Sequence, residues 1–167
     1  MKKGFNTRLA SIYDLEAILF IYNQGIEDKI ATLEEDQKDI NYMTEWFNTH
    51  NERFAIIVIE DNDEIVGWAS LNVYSNRCAY SGVADLSIYI RRDYRGKGVG
   101  SLLLKEIECT AIKNDFNKIV LFTFPFNNLG QGLYKKYSYR EVGVFKNQGK
   151  LDGRFVDVMI MEKILIP

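Results

Sequence analysis

Apolar positions recur first at helical spacing and later in short β-type runs, and the switches between the two periods divide the chain into elements. Leu15, Ile18, Leu19 and Tyr22 fall on one face of a helix over 14–23, with Ser11 or Asp14 placed to cap it. A second helix is predicted across 41–48. The β-rich runs 54–60 and 64–73 flank Asp61-Asn62-Asp63, which is the signature of a hairpin. Residues 83–90 and 118–124 read as further strands. Between them, Leu102, Leu103, Leu104, Ile107, Ala111 and Ile112 sit at helical spacing over 98–116, so a helix joins two strands as in a βαβ unit. Another helix is predicted at 128–137, followed by strands near 139–145 and 155–164. The order ααββ(β)βαβαββ predicts a mixed α/β or α+β fold.

Composition narrows the class. The chain has 167 residues, of which 47% are apolar and 26% charged, enough for a sizeable core and too little charge for disorder. With two prolines, no Ser/Gly linker and no repeat, residues 1–167 are expected to form one domain. A formal charge of −2 offers no general field for nucleic acid. The longest apolar run, 54–59, is far short of the ~18 residues of a membrane span, and no hydrophobic stretch follows the two lysines at the start. Cys78 and Cys109 lie far apart without CxxC or Cys/His company, so neither a metal site nor a disulfide is expected, and a reducing cytoplasm fits. The single histidine, His50, stands among polar neighbours and reads as an exposed loop residue, which sets histidine-based catalysis aside.

The stretch 87–103 is the most informative. A strand runs into a turn with glycines at 96, 98 and 100 that opens a helix, so backbone N–H groups and the positive end of the helix can approach an anion. Residues 91–105 carry Arg91, Arg92, Arg95, Lys97 and Lys105 against Asp93 alone, whereas 27–45 carry seven acids against two lysines. The near-zero net charge is therefore a cancellation between two poles, and the positive one is expected to cradle a pyrophosphate. A Walker loop fails because Lys97 is followed by Gly98 and not by a hydroxyl residue, and a dinucleotide fingerprint fails because Ser101 occupies its third glycine. A tight βα turn without ligand explains one or two of the glycines but accounts poorly for the cations around them.

Arg95-Gly96-Lys97-Gly98-Val99-Gly100 resembles the acyl-CoA signature of the GNAT superfamily of N-acetyltransferases, and Asn127–Tyr139 resembles its N-x-x-A/G-x-x-L-Y segment. The stretches 21–26, 31–32, 77–80, 85–90 and 153–158 are similar to the phosphinothricin/methionine-sulfone branch, whose members acetylate the α-amino group of amino-acid-like substrates. Three positions depart from that branch: Asp85 stands for Glu, Ser75 for an arginine, and Ser138 for a glycine. The resemblance implies the GNAT acyl-CoA N-acyltransferase fold, a mixed central sheet flanked by helices. It also implies acetyl-CoA as acyl donor, a small-molecule amine as acceptor, no metal, and a homodimer.

Acetyl transfer to an amine needs a neutral nucleophile, a polarised thioester carbonyl and a proton for the leaving thiolate. By resemblance, the backbone of Ile88, Tyr89 and Ile90 pairs with the pantetheine arm. Arg95 and residues Gly96, Lys97, Gly98, Val99, Gly100 and Ser101 hold the pyrophosphate, and Asn127 contacts the cofactor. Asp85 is the candidate base, acting directly, through water, or by binding the ammonium. Tyr134 is the candidate acid, since a phenol of pKa ~10 can protonate a thiolate of ~8.5. Arg77 and Tyr80 are the candidate substrate contacts, an arginine being able to pair bidentately with a carboxylate. Two alternatives stay open: acetylation of peptide or protein N-termini, with the acidic 27–45 stretch shaping the acceptor site, and a non-catalytic acyl-CoA-binding module.

Overall fold

The computed structural model describes residues 4–165. Seven strands form one sheet in the order β1-β2-β3-β4-β5-β7-β6. They are β1 (Asn6–Leu9), β2 (Ile56–Asp61), β3 (Glu64–Val73), β4 (Val83–Ile90), β5 (Lys118–Thr123), β6 (Arg140–Leu151) and β7 (Arg154–Ile164). All neighbours are antiparallel except β4 and β5, which are joined through the helix α3 (Val99–Lys113). The mixed sheet expected from the sequence is present, with α1 (Leu15–Asp28), α2 (Ile40–Asn48) and α4 (Asn128–Lys136) as the other helices. The hairpin turn holds Asn62 and Asp63 at φ 51° and 65°, the left-handed pair that a two-residue hairpin loop demands.

The apolar pattern explains the layers. Leu103, Leu104 and Ile107 of α3 are fully buried against Ala84 and Leu86 of β4 and Ile119 and Leu121 of β5; each such side chain contributes about 1.5–3 kcal/mol. On the opposite face, Ile18 and Ile21 of α1 and Met43 of α2 pack on Val58 and Trp68. Side chains of β4 alternate accordingly: Leu86, Ile88 and Ile90 meet the α3 layer, while Tyr89 meets the α1 layer.

Three expectations need correction. The first strand, β1, was not expected, because Asn6-Thr7-Arg8-Leu9 is short and polar and has β2 as its one neighbour in the sheet. The first helix runs on to Asp28, five residues past its predicted end, and Lys29 closes it at φ 54°. His50 is not an exposed loop residue: it is half-buried at the end of α2, its ring 4.7 Å from that of Trp46.

Candidate functional site

Strands β4 and β5 are in register over only three pairs, Val83↔Lys118, Ala84↔Ile119 and Asp85↔Val120. Beyond Asp85 no residue of β4 is paired in register on that side. The hydrogen bond from Arg91 N to Val66 O fixes which residues face the gap. Alternation along the antiparallel β3–β4 ladder then commits the N–H and C=O of Tyr89 to Trp68 and turns those of Leu86, Ile88 and Ile90 the other way; the Leu86 N–H completes the Asp85↔Val120 pair with β5, so the Leu86 carbonyl and the groups of Ile88 and Ile90 face the opening. This corrects the expectation for Tyr89, whose backbone is already spent. The Ile90 carbonyl is partly spent as well, since it accepts from Arg95 Nε at 3.1 Å.

A cavity of about 410 Å³ fills this gap between Ile88, Arg95, the glycine turn and α4. Gly96 and Gly98 have φ of 73° and 85°, and a Cβ on either would stand in open space, so the glycines serve backbone conformation and leave the turn accessible to a ligand. Gly98 caps α3 without any side chain, which leaves the first amides of the helix turned toward the cavity side of the turn. Val99 is wholly buried, so only its backbone can serve a ligand. Lys97 is exposed, its Nζ 5.4 Å from the Tyr94 ring.

The two charge poles are not separate. Arg92 pairs with Glu27 at 2.9 Å and Asp28 at 2.8 Å, and Arg95 pairs with Asp28 at 2.5 Å. Arg91 is tied to Asp93 and Glu64 at 2.8 and 3.2 Å. The end of α1 thus neutralises part of the cradle, and its two arginines hold the Asp28 carboxyl below the usual range. Lys97 and Lys105 form no ion pair among the described residues.

Asp85 sits where the strands part, lining a second cavity of about 470 Å³ with Trp46, Thr49, His50, Asn72 and Ser87. Burial pushes its carboxyl up to about 6, with the neighbouring Asn72 amide pulling the other way. Ser87 and Trp46 also line a small adjoining cavity of about 90 Å³ with Tyr22, Trp68 and Tyr89. The buried Trp68 indole Nε1–H has no acceptor among the described residues. Asn72 and Trp68 went unremarked in the sequence, where no local motif carries them, and His50 reads there as an exposed loop residue.

Tyr134 lines the first cavity. Burial, with Asp85's charge adding to it, pushes the phenol up to about 12. The helix end fixes its place: Tyr139 N donates to Tyr134 O at 3.0 Å and Ser138 N to Lys135 O at 3.1 Å, a Schellman cap with Ser138 at φ 68°. Asn127 also lines this cavity, but its side chain is engaged as the cap of α4: Oδ1 accepts from Gly130 N at 3.0 Å and Nδ2 donates to Thr123 Oγ1 at 3.1 Å. Arg77 caps the short 3-10 turn Cys78–Tyr80 and Tyr80 ends it; both are exposed and are not among the residues lining the two cavities. Among the described residues no cluster suited to a metal ion occurs, and no helix is long and apolar enough to cross a membrane.

A strand pair that opens over a glycine turn at a helix N-terminus, with a carboxyl at its apex, is the architecture of an acyl-CoA-dependent transferase. The model of the acetyltransferase (GNAT) family matches residues 10–139, and the chain belongs to that family. YwnH of Bacillus subtilis (strain 168), which carries a provisional phosphinothricin acetyltransferase name, is 35% identical over 95% of this chain and 98% of its own. The L-methionine sulfoximine/L-methionine sulfone acetyltransferase of Pseudomonas aeruginosa is 29% identical over 96% and 94%. The crystal structure of a GNAT phosphinothricin acetyltransferase from Sinorhizobium meliloti in complex with AcCoA superposes with a TM-score of 0.91, at 26% identity over 97% of this chain and 89% of that one. The protein is a GNAT-family N-acetyltransferase.

Proposed function

We propose that the acceptor is the primary amine of a small amino-acid-like molecule, of the phosphinothricin or methionine sulfone type, held in the cavity beside Asp85. The observation that carries this reading is the position of Asp85 at the parting of β4 and β5, with one cavity on the glycine-turn side and another on its own side. The residues fit acetyl-CoA: the Leu86 carbonyl and the N–H and C=O of Ile88 suit an extended amide arm, and the turn at Gly96 and Gly98 suits a pyrophosphate. Bound acetyl-CoA supplies an activated thioester carbonyl. Asp85, raised to about 6, takes up a proton from the acceptor ammonium, directly or through water, more readily than an ordinary aspartate. Tyr134 keeps its Oη proton well above neutral pH and holds it for a departing thiolate.

A homodimer and a cytoplasmic location belong to the same proposal. Phe122 and Phe145 lie on one sheet face, across β7 from each other, and are 45% exposed, which supports a second copy covering them; light scattering tests it. Cys78 and Cys109 are both free thiols, as a reducing compartment maintains. Free-thiol release from acetyl-CoA over α-amino acids, methionine sulfone, phosphinothricin, polyamines and peptides tests the acceptor. Turnover concentrated on free amino-acid analogues is expected; turnover confined to peptides or polyamines would contradict it.

A further inference from the structure

The side-chain amide of Asn72 has four hydrogen-bonding valences, and all four are used. Nδ2 donates to the Asp85 carbonyl at 3.3 Å and to Ser87 Oγ at 3.1 Å. Oδ1 lies 2.9 Å from His50 Nε2 and accepts from Ser70 Oγ at 3.0 Å. A backbone carbonyl can only accept, so the Asp85 contact sets which end of the amide is nitrogen. Oδ1 therefore faces His50, and Nε2 must carry the proton it donates. On its other side the imidazole Nδ1 lies 2.9 Å from the Trp46 carbonyl oxygen. Ser87 Oγ accepts from Asn72, which leaves its own O–H to donate within the cavity that Asp85 and His50 also line.

We propose that His50 is a positioning residue for acetyl transfer. Acting through Asn72, it holds the Ser87 hydroxyl and the Asp85 main chain in the arrangement that the acceptor amine meets. The inference rests on reading this cavity as the acceptor site. The chain of contacts spans α2, β3 and β4, residues far apart in sequence, and each link is half-buried, where a polar group left unpaired is costly. Loss of His50 frees Asn72 to rotate, and Ser87 loses the contact that directs its hydroxyl.

The test uses the full chain, with the amine that wild-type protein turns over best. His50→Phe keeps an aromatic ring beside Trp46 and removes the hydrogen bonds; His50→Gln restores an N–H donor of similar reach. His50→Phe is expected to lower acceptor kcat/KM by about ten-fold while KM for acetyl-CoA stays within about two-fold, and His50→Gln to recover to within about three-fold of wild type. Asn72→Ala, usable should His50→Phe fail to fold, is expected to match the ten-fold loss, and a double variant to be no worse than either single one. Wild-type kcat/KM in His50→Phe, equal losses in His50→Phe and His50→Gln, a rise in KM for acetyl-CoA matching the loss, an acceptor kcat/KM of wild-type size in Asn72→Ala, or additive losses in the double variant would overturn the proposal. Wild-type protein that releases thiol with no amine would instead overturn the acceptor reading beneath it, and this inference with it.

Discussion

Asp85 and Val120 are the last residues that β4 and β5 bring into register, and the carboxyl at the parting of the strands is half-buried beside an amide, with no cation paired with it among the described residues. That placement costs stability. With a folded pKa of about 6 against an ordinary value of about 3.9, the native state binds this proton more tightly than the unfolded chain. The contribution therefore destabilises as pH rises from about 4 to about 6 and is full above that. Asp85→Asn is predicted to unfold at higher temperature than wild type at pH 7.5, by up to about 3 kcal/mol, with the gap closing toward pH 4. Calorimetry at the two pH values checks it; a gap independent of pH would contradict the burial argument.

Tyr134 is held by a helix cap and not by its hydroxyl, for which no hydrogen bond is seen among the described residues. Tyr134→Phe is thus predicted to leave melting nearly unchanged while lowering kcat on the order of 10²-fold, measured by thiol release. An unchanged kcat would make Tyr134 a packing residue.

At Gly98 a Cβ meets no atom, yet φ is 85°. Gly98→Ala is expected to cost about 1–2 kcal/mol from backbone conformation alone and to weaken acetyl-CoA binding by at least about ten-fold, since the added methyl stands where the turn meets its ligand. Isothermal titration and melting separate the two effects. Retained affinity would move the pyrophosphate away from this turn.

Ser138 occupies the left-handed position after α4, at φ 68°. A side chain there costs about 1 kcal/mol, so Ser138→Gly is predicted to stabilise by up to that amount without changing kcat. Chemical denaturation reads it directly, and destabilisation would show that the serine contributes a contact that offsets the strain.

What the sequence disclosed was local. The turn at 95–100 carries its own conformational demand in glycines at every second position, and the alternation in 83–90 carries the strand, so the turn and the fold were legible. Pairings across the chain were not. Arg92 and Asp28 meet over a separation of 64 residues, and the clusters that read as opposite poles partly cancel where they touch. His50 reads as solvated because its sequence neighbours are polar; its partner Asn72 lies 22 residues away on a strand, and only the packing of α2 on the sheet brings them together. Tyr89 shows a subtler limit: identity marks a strand, but which of its backbone groups are free depends on the register with β3.

The central claim is that the carboxyl at the parting of β4 and β5 accepts the acceptor's proton. The pH profile of kcat/KM for the best amine, from pH 5 to 9, tests it most directly in wild type and Asp85→Asn. Wild type is predicted to lose rate below a break near 6, and Asp85→Asn to fall on the order of 10²-fold at pH 7.5 with that break abolished. A variant within a few-fold of wild type that keeps the same break would contradict it.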